Sequence, residues 1–194
     1  MHPTPPELGQ RDAALWRVGR NLERLQSIEK LLKSLLPTTR LSGTRRQIET
    51  QILDSKRAAK KATLGTLTDQ YARHVLSPPS ETEDPEVGSE ILFSFSMSVD
   101  APPEVLKQMR ADWRRLTKER NQLVHSVTLA DRMSSFEGCV AFCQQLDEEY
   151  QRASLLLEEL DHQVKTRQLA ATAFKELHES GQLQKLGVEP PSDA

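Results

Sequence analysis

A chain of 194 residues can build one substantial hydrophobic core and is short for two. With 37% hydrophobic residues, 28% charged residues, few aromatics and only 8 glycines, it reads as a mainly α protein and not as a many-turned sheet protein. A net charge of -2 and a pI near 6.2 give no global attraction to nucleic acid, so such a function must rest on a local patch.

The opening MHPTPPELGQ has no apolar core and no cleavage pattern, so it reads as a flexible N-terminus over residues 1–9 and not as a signal peptide. Leu15, Val18, Leu22, Leu25, Ile28, Leu32 and Leu35 then mark a long amphipathic helix that ends near Pro37. A second helix is expected from Ser42–Arg45 through Ile48, Ile52, Ala59, Leu67 and Tyr71 to about Leu76. Gly65 falls inside it and suits a close helix contact or a bend.

Residues 77–90 hold three prolines and five acids and read as a solvated acidic loop. In the following EILFSFSMSVD, Ile91, Phe93, Phe95, Met97 and Val99 alternate with polar residues, which predicts a strand. A lone strand leaves its backbone groups unpaired. The Val87–Ser89 region or the same strand of a second chain is the expected partner.

Pro102, Pro103 and Glu104 open a third helix that is predicted to reach about Ala130. Asp131–Ser135 form a turn, and Ser134 or Ser135 caps a last helix. Its apolar seam runs from Phe136 past Cys139, Cys143, Leu146 and Leu160 to Phe174. This helix extends past residue 165, towards a partner, and residues 181–194 read as a flexible tail. The expected architecture is a single domain over 1–180, an up-and-down bundle of four long helices with a short β element between helices 2 and 3. Trp16 and Trp113 are expected to anchor its core. Cys139 and Cys143 read as small buried hydrophobes in a reducing, cytoplasmic setting. No apolar run approaches the ~18–20 residues that span a bilayer, so no membrane association is expected.

Charge is distributed unevenly. Residues 40–61 carry seven Lys/Arg against two acids, and residues 104–120 carry six against three. Acids collect at 81–90 and at 144–161. Most of this reads as solvated helix faces, but the two basic segments can also form one surface that attracts phosphates.

On the third helix the spacing of Leu106, Met109, Trp113, Leu116 and Leu123 leaves a slot for one more apolar residue, and Arg120 fills it. A buried guanidinium requires a partner. If the stripe is internal, Asp147 or Glu148 is expected to pair with it; if it opens into a cleft, phosphate matches its fork of donors. Asn121 stands beside it, and His125 follows Asn121 at i,i+4 on the same side of the helix. His74 and His162 have no comparable setting.

Arg120-Asn121-Gln122-Leu123-Val124-His125, late in the third helix, resembles the Arg-x4–6-His motif of the HEPN family. The resemblance covers roughly residues 10–165. It implies a helical, dimeric, metal-independent endoribonuclease of the kind found in toxin–antitoxin and anti-phage defence systems, with RNA as substrate and no cofactor. His125 would be general base or acid, Arg120 would stabilise charge on the phosphorane, and Asn121 would orient His125 or a phosphate oxygen. The products implied are a 2′,3′-cyclic phosphate and a 5′-hydroxyl, made at a site shared by two chains. One subfamily carries a tyrosine two residues after the histidine, where its antitoxin attaches nucleotides. Here that residue is Val127, so an antitoxin or other regulatory protein would act by binding. The competing expectation is a non-catalytic helical interaction or scaffold protein, in which Arg120 makes a structural ion pair.

Overall fold

A computed structural model of the chain describes residues 5–77, 93–125 and 129–180. The acidic loop from residue 78 onward, the Val87–Ser89 region, Val127 and the tail 181–194 lie outside the described residues. Within them the protein is mainly helical, with one small two-stranded sheet. None of its helices is long and apolar enough to cross a membrane.

Helix α1 spans Pro5–Leu35, so the chain is already helical within the stretch expected to be flexible. Proline suits that start, because its missing N–H falls where the first turn has no acceptor. A single 3-10 turn, Leu36–Thr38, ends α1 at Pro37 as expected. Strand β1, Arg40–Gly43, follows. Gly43 has φ 129°, a conformation that favours glycine, and it packs beside the Gln47 side chain. Thr44 then caps helix α2, Arg45–Lys61, through a capping box with Gln47.

The expected second helix is two helices. Ala62 and Thr63 are extended, and Thr63 caps a new helix, α3, Leu64–His74, by accepting from the Thr66 N–H at 3.4 Å. Gly65 lies in the first turn of α3, where a Cβ would come 3.4 Å from Thr117 Cγ2; its role is close helix contact and not a bend. The alternating segment forms strand β2, Phe93–Ser96. Among the described residues its partner is β1, antiparallel, with Arg40 opposite Ser96 and Gly43 opposite Phe93. Backbone bonds from Met97 to Thr39 and from Val99 to Val75, both 2.8 Å, carry the attachment onward.

Helix α4, Pro103–His125, is described to His125, and a one-turn helix, α5, occupies Leu129–Arg132. Helix α6 spans Phe136–Glu179. Among the described residues there are thus five helices of more than two turns, not four, because the second expected helix is broken at Ala62–Thr63. The pairs Arg17–Asp147, Arg24–Tyr150 and Leu35–Arg167 advance together along both helices and make α1 and α6 parallel.

The core joins Ile28, Leu32 and Leu35 of α1 to Leu67 and Tyr71 of α3, Trp113 and Leu116 of α4, and Leu146 and Leu160 of α6. Tyr71 and Trp113 pack with ring centroids 4.9 Å apart. The Tyr71 hydroxyl is bonded to Gln163 at 2.7–2.9 Å, and burial raises its pKa above the ordinary phenol value. Cys139 and Cys143 are buried, as expected. Trp16 is not a core anchor: it is 63% exposed, with the Arg20 guanidinium 5.1 Å from its ring centroid. On α1 the inward face is set by Ala14, Asn21, Leu25 and Ile28, which turns Trp16 out.

Candidate functional site

Helix α4 places Leu106, Trp113, Leu116 and Leu123 in the core. Arg120 shares their stripe by helical angle but is only half-buried, whereas Leu123, further along α4, is buried. Its Nη1 donates to Asn121 Oδ1 at 3.1 Å. The carboxylates considered for it are engaged elsewhere. Asp147 accepts from Arg17 Nε at 3.0 Å and from Arg20 Nη2 at 2.6 Å, and Glu148 faces Arg152 Nη1 at 3.7 Å. The interior ion pair expected if the stripe were closed is therefore not formed. Partial desolvation pushes Asp147 up, but bonds from Arg20 and Arg17 outweigh it and hold the carboxyl below its usual range.

Asn121 and His125 are exposed and line one open depression together with Arg114, Thr117, Lys118 and Gln122. Arg120 is not in that lining and joins the group only through its bond to Asn121. The three residues of the motif are thus contiguous at the surface, with two of them facing one space.

Arg114 also lines a second depression, between α3 and α4, with Arg73, Arg110, Asp69, Thr68 and Trp113. The Thr68 and Thr117 hydroxyls, 2.9 Å apart, tie the two helices together between these hollows. Arg110 donates to the carbonyl of Leu76, and Arg73 Nε donates to the carbonyl of Asp69 at 3.3 Å. Among the described residues, no ion pair involves Arg73, Arg110, Arg114 or Lys118. Half-buried His74, the next residue after Arg73, has its pKa lowered first by burial and then by the nearby charges of Arg40 and Arg73. Arg110, Arg114 and Lys118 belong to the basic segment 104–120 expected to attract phosphates, whereas Arg73 lies outside both basic segments. Their i,i+4 spacing on α4 was available as a signal, but nothing in the chain announced that Arg73 would stand beside them.

The opposite flank of α4 is saturated. Glu119 accepts from Arg115 at 2.9 Å and from Arg152 at 2.7 Å, and Gln108 donates to Asp112 at 2.9 Å. Buried Glu149 accepts from Gln145 at 2.6 Å, and its pKa is raised, first by burial. Tyr150, the tyrosine nearest the motif in sequence, belongs to the α1–α6 contact, with Arg20 stacked 3.9 Å over its ring and Arg24 donating to its hydroxyl. Among the described residues, no three His, Cys, Asp or Glu side chains converge as a metal site would require. No family model, no curated protein and no solved structure matches this chain.

Proposed function

We propose that this protein is a HEPN-like, metal-independent endoribonuclease, a cytoplasmic toxin or anti-phage defence effector built as an up-and-down helical bundle. The observation that carries this reading is the exposure of Asn121 and His125 in one open hollow beside Arg114 and Lys118, with Arg120 held against Asn121. An imidazole and unpaired cations facing one space are what phosphodiester cleavage needs.

In the reaction, His125 takes the proton of a ribose 2′-OH, and the 2′-oxygen bonds to phosphorus. The bond from phosphorus to the 5′-oxygen breaks, and the departing oxygen is protonated by the His125 of a second copy. A 2′,3′-cyclic phosphate and a 5′-hydroxyl result. Arg120 and Lys118 stabilise the charge that builds on the non-bridging oxygens. The two roles need two histidines in opposite protonation states, which is why a homodimer belongs to the proposal. An antitoxin would control the enzyme by binding.

A specific observation favours the second reading, a helical scaffold: residues 168–173 of α6 are all exposed, and Leu169 is 72% exposed, as on a helix end that receives a partner. The test is cleavage of varied RNAs by the purified protein in EDTA, beside Arg120→Ala and His125→Ala variants checked for fold and dimerisation. Cleavage by wild type alone, leaving cyclic phosphate ends and falling ~100- to 10,000-fold in His125→Ala, is expected. A folded wild type that cuts none of the RNAs would favour the scaffold.

A further inference from the structure

We infer that the furrow between α3 and α4 is a phosphate track that binds single-stranded RNA on one side of His125, through Arg73, Arg110, Arg114 and Lys118. The hollow between α3 and α4 meets, at Arg114, a second hollow that continues along α4 to His125. Arg110, Arg114 and Lys118 recur every four residues, so they climb α4 in steps of about 6 Å, and Arg110 lies about 22 Å along the axis from His125. Arg73 faces the first hollow from α3.

Among the described residues, no carboxylate pairs with these cations. Arg110 and Arg73 are bonded to neutral carbonyls, and Asp69 is the one acid in either lining. A single row of cations on one helix matches one backbone, which argues for a single strand. The only aromatic residue in the lining, Trp113, is 1% exposed, so no platform stacks the bases. Binding is therefore carried by phosphates and is insensitive to sequence, at the short end of single-strand site sizes, about four nucleotides. This track deepens the ribonuclease reading and rests on it for the identity of the polymer.

The test measures binding of a fluorescent 2′-O-methyl oligouridylate, which lacks the attacking hydroxyl and cannot be cut, against salt concentration. Four phosphate contacts give a log–log slope of about -2.8, or roughly a 50-fold loss of affinity between 50 and 200 mM salt. Arg73→Gln, Arg110→Gln, Arg114→Gln and Lys118→Gln should each make the slope shallower by about 0.7, while Arg115→Gln on the opposite flank leaves it unchanged. Arg114 and Lys118 make no side-chain bond that folding needs, so their variants keep the test decisive if Arg110→Gln fails to fold. Unchanged slopes in both, with RNA cleaved by wild type, would overturn the track and leave the ribonuclease standing. The expected slopes in a protein that cuts no RNA would uphold the track and sink the ribonuclease. Equal binding of a polyglutamate peptide of the same charge would overturn it, making the furrow a site for an acidic protein segment.

Discussion

The two flanks of α4 carry the same residue types to opposite ends. On one, Arg115 and Arg152 converge on Glu119, whose side chain is only 12% exposed, and with Glu148 also facing Arg152 the charges balance within the fold. On the other, Arg110, Arg114 and Lys118 meet no carboxylate among the described residues. The paired flank holds α4 against α6. The unpaired flank leaves its field to solvent, where a polyanion can use it. A net charge of -2 conceals this, because attraction depends on where charges remain uncompensated.

Leu116 lies in the core beneath both flanks, and Leu116→Ala should cost about 2–5 kcal/mol in urea unfolding and weaken RNA binding with it. Glu119→Gln attacks the paired flank alone. It leaves Arg115 and Arg152 with a weaker acceptor and should cost about 1–3 kcal/mol, with the affinity for uncleavable RNA unchanged. Loss of RNA binding in that folded variant would end the separation of the flanks. Thr117→Val removes the hydroxyl bridge to Thr68 under the furrow and should cost about 1 kcal/mol. Arg114→Gln should alter stability by no more than about 0.5 kcal/mol, because nothing in the fold depends on its charge.

The smallest effect is a pH dependence at His74. Its folded pKa is depressed, so the unfolded chain binds the proton more readily, and the stability in question is present above the unfolded pKa. It is lost as pH falls from there through the folded value. His74→Gln should flatten the urea midpoint between about pH 7 and 5. Arg73→Gln should move the histidine's titration, followed by NMR, part of the way back up. No movement would show that the field of the furrow does not reach it.

Helices α1, α4 and α6 were legible because their apolar residues recur at helical spacing over many turns. Strand β2 was legible by alternation, but β1 was not, since Arg-Leu-Ser-Gly offers one apolar side chain and no period. The break at Ala62–Thr63 was hidden because Ala59, Leu67 and Tyr71 keep a helical rhythm across it; only Thr63 as a cap gave it away. Of the candidate site, the shared face of Asn121 and His125 followed from i,i+4 spacing. The surroundings of Arg120 did not, because exposure at one position of a stripe depends on which helix covers it.

The sequence by itself determined the helical class, the C-terminal end of α1, the region where α2 begins, the capped start of α6, and the position of an arginine on an apolar stripe, all of which are set by residues within a turn or two of one another. Tertiary structure alone decided that α1 and α6 run parallel, that β2 pairs with β1, that Asp147 belongs to Arg17 and Arg20, and that Arg73 joins the cations of α4. Each of these unites residues distant in the chain, and local propensity carries no information about which distant partner will arrive.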